Sequence, residues 1–356
     1  MAYQSHPQPL NLATKHQQLP KVLVIRPPMV FKSVETEFSQ KFHLVKAWES
    51  PLPLDQFLAA HAHDVRAMIA SAVTPVNPDV LRHLPSLRCI VTSSAGIDRI
   101  DLSECRRRGI VVANAGAVFS EDVADTAVAL LIDVLRRVVA ADSYGSNVGA
   151  AGGKKRRRSR LLLISYTPSL YKNSQTLNSF LNLGGKRVGI VGLGSIGMEV
   201  AKRLEAFGCT ISYHSRKEKP SVSFPFYSNV CELATNCDIL ILCCALNDQT
   251  HHMINKEVLL ALGKEGVIVN IARGAVIDEK ELVRFLVQGD IAGAGLDVFE
   301  NEPEVPRELF PLDNVVLSPH RAVFTEESIR DSVDLMLANL EAFFSNKPLL
   351  TPVENE

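Results

Sequence analysis

Three polar side chains stand just beyond short apolar runs in the second half of the sequence. Arg273 follows "VIVNIA", Glu302 follows "GLDVFEN" and His320 follows "NVVLSP". In an open α/β sheet the carboxyl ends of the strands share one edge, so residues at those ends converge despite their separation in sequence. The residue types suit reduction of a 2-oxo acid. A guanidinium holds a carboxylate with two bonds and polarises the neighbouring carbonyl. An imidazolium protonates the carbonyl oxygen as hydride arrives. A carboxylate beside that imidazole favours its charged form and fixes its orientation. Singly, each residue has a plainer reading: His320 as a structural histidine, Glu302 as a surface turn residue, Arg273 as the partner of any nearby acid. Only the combination points to catalysis.

A hydride donor needs its own site. The run "VGIVGLGSIGMEVAKRLEAFG" sets Gly192, Gly194 and Gly197 in GxGxxG spacing after an apolar strand and before an amphipathic helix. In that context the first glycine turns the chain, the second admits backbone close to a pyrophosphate, and the third lets helix pack on strand. The amides of Leu193, Gly194, Ser195 and Ile196 would then face the phosphates at the positive end of the helix. The plainer reading is a glycine-rich turn. At the end of the next strand, "YHSRKEKP" offers Ser215, Arg216 and Lys217 where an NAD site would place an acid for the ribose 2′-hydroxyl. A hydroxyl, a forked guanidinium and an ammonium suit a 2′-phosphate instead. NADP(H) is the cofactor this stretch predicts, with a solvated basic turn as the alternative.

These residues need a frame. From residue 21, "KVLVIRP", "FHLVKAW", "VRAMIA", "LRCIVTSS" and "GIVVAN" alternate with helical patterns. "KRVGIVG", "CTISYHS", "CDILILCCA", "GVIVNIA", "AGAGLDVF" and "NVVLSPH" form a second series of six. Such alternation predicts α/β architecture: two doubly wound parallel-sheet domains, Rossmann-like or flavodoxin-like, with a cleft between them. Between the series, "SEDVADTAVALLIDVLRRVVAAD" predicts a long helix with Ser120 as its N-cap. The last helix, "TEESIRDSVDLMLANLEAFFSN", leaves the second sheet and can return to the first domain. The expected division is a disordered tail over 1–20 and a substrate domain from 21–120 and 322–356. A dinucleotide domain takes 121–142 and 181–321, and an atypical basic insert fills 143–180.

Composition excludes some classes. The net charge is −1, so a polyanion-coating protein is not expected, although "KKRRRSR" (Lys154 to Arg160) is strongly basic. That run reads as a solvated stretch, with a nuclear-import or polyanion patch as the alternative. The seven cysteines form no CxxC pair and lie mostly in apolar runs. Free thiols in a reducing compartment, the cytosol, are expected, with neither disulfides nor a metal site. No apolar run is long enough for a membrane span, and the first twenty residues lack a signal-peptide core.

The stretches "VGLGSIG", "NIARGAVIDEKEL", "AGAGLDVFENEP" and "LSPH" resemble the signatures of the D-isomer-specific 2-hydroxyacid dehydrogenases. Within that family the look is nearest to plant hydroxyphenylpyruvate reductases and NADPH-dependent glyoxylate/hydroxypyruvate reductases. The resemblance covers about residues 21–142 and 182–352. It implies that Arg273 binds substrate, Glu302 supports the histidine and His320 is the acid/base. It further implies that Ile271, Ala272 and Arg273 line the cofactor and that Asp297 contacts the nicotinamide side. Amides around Ala95 and Gly96 in "SSAGID" would hold the substrate carboxylate. The implied partners are a small 2-oxo acid and a second copy of the chain, with no nucleic acid or membrane. The family also contains transcriptional corepressors that keep the three residues, so a dinucleotide-sensing, non-catalytic protein is the alternative. The ending at Glu356 disfavours the serine-pathway phosphoglycerate dehydrogenases, many of which add a C-terminal regulatory domain.

Two stretches depart from the family pattern. Phe324 stands in "HRAVFTEES", near where relatives carry small residues, and is expected to shape an apolar wall for a bulkier substrate. Relatives also carry a shorter, tryptophan-containing segment in place of 143–180, whereas Trp48 is the only tryptophan here. The insert reads as a foreign or alternatively spliced segment, which makes an inactive splice variant of the enzyme a further alternative.

Overall fold

Both series of apolar runs form parallel sheets in the computed structural model, which describes residues 19–28, 31–139 and 181–353. The expected tail up to residue 18, the insert at 143–180 and its basic run lie outside the described residues. Pro20, read as part of the tail, is tied down: its carbonyl accepts the His43 N–H at 2.9 Å, where the first strand begins.

The first compact unit comprises residues 19–93, Arg99–Ala113 and 336–353. Its strands are β1 (Lys21–Val24), β2 (His43–Lys46), β3 (Ala67–Ala70), β4 (Cys89–Thr92) and β5 (Val111–Ala113). They pair in parallel in the order β2-β1-β3-β4-β5, a doubly wound arrangement. The helices between them are α1 (Phe31–Lys41), α2 (Leu54–His61), α3 (Pro78–Arg82) and α4 (Leu102–Arg107). Asn77 and Asp101 cap α3 and α4 by accepting the N–H groups of Val80 and Glu104. β3 and β4 are buried along their whole length, as strands covered on both faces must be. The chain's end comes back here: Val353 N–H donates to the Val112 carbonyl at 2.8 Å.

The second unit comprises Ser94–Asp98 and, of the described residues after it, 114–139 and 181–335. It opens with α5 (Ser120–Arg136), followed by β6 (Arg187–Val191), α6 (Ser195–Ala206), β7 (Thr210–His214) and β8 (Phe226–Tyr227). Next come α7 (Val230–Thr235), β9 (Ile239–Leu242), α8 (Lys256–Leu262), β10 (Val267–Asn270) and α9 (Glu279–Gln288). The unit ends with β11 (Gly293–Leu296), β12 (Val315–Leu317) and α10 (Glu326–Phe344), whose residues from Met336 onward belong to the first unit. The sheet order is β12-β11-β10-β9-β6-β7-β8, all parallel. Six strands were expected, and the described residues form seven. The addition, β8, is two residues long, too short to leave a periodic pattern.

Alternate strand residues feed two apolar layers. Ile190, Ile241 and Val269 face α5 and α6, where Val123, Leu131, Val200 and Leu204 are buried. Val191, Leu240, Leu242 and Ile268 face α7 to α9, packing on Leu233, Leu259 and Phe285. This two-sided burial fixes the strand register, because a slip of one residue would exchange the layers. Ser120 is not the N-cap of α5. Phe119 holds that position without a side-chain bond, and Ser120 is the first helical residue, buried. The chain enters the helix through a turn in which Ser120 N–H donates to the Ala117 carbonyl, which leaves no outer position for a serine cap.

Candidate active site

The strand order reverses between β6 and β9, and the glycine loop follows β6 at that point. Gly192 has φ 95°, and a Cβ there would lie 2.6 Å from the Cys244 backbone. Only glycine meets both demands. A Cβ at Gly197 would strike the Gly192 carbonyl at 2.4 Å, so that residue sets how closely α6 approaches the loop. Gly194 differs from both: it is the exposed N-cap of α6, with nothing within 4 Å of a Cβ. Ser195 is exposed beside it, whereas Leu193 turns into the core. The loop thus presents backbone at a helix N-terminus, which fits the pyrophosphate of a dinucleotide. Gly192 N–H also donates to the His214 carbonyl at 2.9 Å, setting the end of β7 beside the loop.

Ser215, Arg216 and Lys217 follow β7 directly, the last two exposed. Two hydrogen bonds shape this turn. Ser215 Oγ donates to the Lys217 carbonyl at 2.6 Å, and the Tyr213 hydroxyl accepts the Lys219 N–H at 2.8 Å. Tyr213 is fully buried, so its hydroxyl reaches the turn from inside the protein.

At the end of β10, Asn270 is buried and organises the next turn. Its side chain accepts the Ala272 N–H at 3.0 Å and donates to the Arg273 carbonyl at 3.0 Å. Ile271 and Ala272 are buried within that turn. Arg273 reaches the "SSAGID" loop, which belongs to the same unit. Its Nε donates to Asp98 Oδ1 at 3.0 Å, and its Nη2 lies 1.8 Å from where a Cβ on Gly96 would stand. The loop itself is fixed by Asn114 Nδ2, which donates to the Ala95 carbonyl at 2.9 Å. A side chain on Gly96 would therefore force the guanidinium to move.

His320 and Glu302 meet: Nδ1 lies 2.8 Å from Oε2. Glu302 Oε1 accepts the Phe299 N–H at 3.1 Å, which orients the carboxylate. Burial pushes the Glu302 carboxyl up. The His320 bond, the Phe299 amide and the Arg273 charge outweigh it, and the result lies below the ordinary carboxylate range. His320 sits in left-handed backbone at φ 53°, a conformation that costs a side-chain-bearing residue about 1 kcal/mol. Asp297 supplies the constraint. Its carbonyl accepts the His320 N–H at 2.8 Å, and its carboxylate accepts from Ser318 Oγ (2.5 Å), Arg321 N–H (3.0 Å) and Ala322 N–H (3.3 Å). Asp297 is 1% exposed, so this carboxylate is committed to the loop that carries the histidine.

The structure thus joins Arg273 to Gly96 and His320 to Glu302, with Arg273 close enough to act on the Glu302 carboxyl. Sequence reasoning missed Asp98, Asn270, Asn114 and the loop-holding bonds of Asp297. Asp98 lay inside a motif already singled out. The others act through single hydrogen bonds that carry no spacing signal.

Comparison with known proteins agrees with the geometry. Residues 165–322 match the family model described as D-isomer specific 2-hydroxyacid dehydrogenase, NAD binding domain. The chain is 51% identical to the glyoxylate/hydroxypyruvate reductase HPR3 of Arabidopsis thaliana, over 94% of this chain and 97% of that protein. It is 43% identical to the hydroxyphenylpyruvate reductase of Plectranthus scutellarioides, over 90% and 95%. Among solved structures it resembles the NADPH-dependent glyoxylate/hydroxypyruvate reductase of Sinorhizobium meliloti in complex with NADP and malonate. That match has a TM-score of 0.77 and 34% identity, over 94% of this chain and 96% of that one.

Proposed function

This chain belongs to the D-isomer specific 2-hydroxyacid dehydrogenase family, and from that premise we propose that it reduces a 2-oxo acid to the D-2-hydroxy acid with NADPH. Family membership makes it an oxidoreductase that uses a nicotinamide dinucleotide. The substrates proposed are hydroxypyruvate, glyoxylate (giving glycolate) and 4-hydroxyphenylpyruvate, the acids in its relatives' names.

The Arg273 guanidinium and the amides around Ala95 and Gly96 take the substrate carboxylate, and Arg273 polarises the carbonyl beside it. A bound reduced nicotinamide supplies the hydride. His320 supplies the proton from Nε2, because its Nδ1 is committed to Glu302 at 2.8 Å. Glu302 stays ionised, fixes the tautomer and offsets the imidazolium charge. Asp297 acts one step back, as a positioning residue that holds His320 in its left-handed conformation. The backbone from Leu193 to Ile196 takes the pyrophosphate, and Ile271 and Ala272 flank the nicotinamide half. Ser215, Arg216 and Lys217 take the 2′-phosphate. The reading extends to a cytosolic homodimer, which light scattering checks by finding twice 39.0 kDa.

The observation that carries the proposal is the ion pair of His320 and Glu302 in the same unit as the glycine loop and Arg273. The test is NADPH oxidation against a panel of the three acids. Turnover that is lost in His320→Ala with NADPH still bound is the expected result. Tight NADPH binding with no turnover on any acid would support the sensor reading instead. Arg216→Glu should invert the ratio of NADPH to NADH efficiency, and an unmoved ratio would remove the cofactor assignment.

A further inference from the structure

His251, His252 and Glu300 form a cluster for which the reduction has no use. The two imidazole rings stack with centroids 4.0 Å apart and 24° between their planes. His252 Nε2 lies 3.0 Å from Glu300 Oε1. One ligand atom from each of the three residues lies within 4.8 Å of the other two. His252 is moreover held in left-handed backbone at φ 50°, with its N–H donating to the Ala275 carbonyl at 2.8 Å. Backbone held in so sparsely populated a region is a marker of function when the surroundings enforce it.

We propose that these three side chains bind a transition-metal ion of the Zn²⁺ class. Two imidazoles and one carboxylate suit a borderline cation, whereas Mg²⁺ and Ca²⁺ ask for oxygen ligands throughout. Bonds of about 2.0–2.2 Å place neighbouring ligands of a tetrahedral ion roughly 3.3 Å apart. His252 and Glu300 already stand at 3.0 Å. His251 is exposed, so its ring can swing the remaining distance without disturbing the core. The ion replaces the proton between His252 and Glu300; by exchange with solvent the ring carries its one proton on Nδ1, so it binds as neutral imidazole, and water completes the coordination.

The position gives the ion a consequence. Glu300 precedes Glu302 by two residues, and its N–H is fixed to Glu279 Oε1 at 3.0 Å. His252 is bonded to Ala275, two residues after Arg273. An ion held here ties the segment that carries Glu302 to the segment that lies against the Arg273 turn. Sequence reading expected no metal site because it looked for cysteine pairs; this cluster joins two adjacent histidines to a glutamate 48 residues away.

Calorimetric titration of chelator-treated, full-length protein with ZnCl₂ tests the site, with Co²⁺ absorption as a second readout. Expected is one ion per chain at micromolar Kd and a four-coordinate Co²⁺ spectrum. His251→Ala and Glu300→Gln should each weaken binding at least ~10-fold while leaving the unfolding midpoint of the metal-free protein in place. His6→Ala/His16→Ala, remote in sequence, should bind as the parent does. Three results would overturn the proposal: no saturable binding, an affinity in both site variants equal to the parent's, or loss of binding in the His6/His16 variant. The first of these would leave His252–Glu300 as a loop clamp with no ion.

Discussion

At the residue scale the candidate site depends on two steric and electrostatic details. Gly96 leaves no room for a methyl group beside the Arg273 guanidinium, since the intruding Cβ would stand 1.8 Å from Nη2. Gly96→Ala must displace the guanidinium by an ångström or more. Misplacement on that scale costs on the order of 10²-fold in kcat/KM, which steady-state kinetics with each 2-oxo acid would show. Glu302 is the second detail. Its folded-state pKa lies below the ordinary 4.5 despite burial, so its ion pair stabilises the fold above that pH and is lost as pH falls through the lower folded value. Glu302→Gln removes this dependence. Urea unfolding over a pH series should show the wild type losing stability more steeply than the variant below about pH 4.5. Near neutral pH the same variant should turn over about 10²-fold more slowly, because an amide does not offset the imidazolium charge.

The elements explain why those residues meet and which parts of the arrangement were legible. Long apolar runs with helices between them left clear periodic signals, so eleven of the twelve strands of the described residues and the long helices could be placed from residues such as Ile239–Leu242 and Ser120–Arg136. The carboxyl-edge rule then brought Arg273, Glu302 and His320 together. Local chemistry was harder to read. The Phe119 entry into α5, the two-residue β8 and the Asn270 turn depend on backbone angles and single hydrogen bonds, which periodicity does not encode. Tyr213 belongs to the same class. It reads as one more apolar residue of β7, yet its hydroxyl accepts the Lys219 N–H and so shapes the turn of Ser215, Arg216 and Lys217. Tyr213→Phe keeps the packing and removes that bond, which is worth about 1 kcal/mol. The KM for NADPH should rise roughly fivefold with little change in kcat, and circular dichroism should show an intact fold.

For the molecule as a whole, the net charge is −1 and all seven cysteines are free. Burial disfavours the thiolate of several: Cys89 and Cys237 are pushed up to about 12, and Cys244 to about 11, even though Cys244 lies against the dinucleotide loop. Among the described residues no helix is long and apolar enough to cross a membrane. Both sheets bury apolar layers, and global stability rests chiefly on that burial. Cofactor binding adds to it by mass action alone. A ligand at one hundred times its Kd raises unfolding free energy by about 2.7 kcal/mol, and one that binds tenfold more weakly adds about 1.4 kcal/mol. If Arg216 and its neighbours take the 2′-phosphate, NADPH must raise the thermal midpoint more than NADH at equal concentration. Arg216→Glu must reverse that order, each shift being read against the ligand-free midpoint of the same protein. Differential scanning fluorimetry on the two proteins, with no substrate present, separates a failure of cofactor choice from a failure of chemistry. Equal midpoints with NADPH and NADH in the wild type would mean that the basic turn after β7 is solvent-facing charge and nothing more.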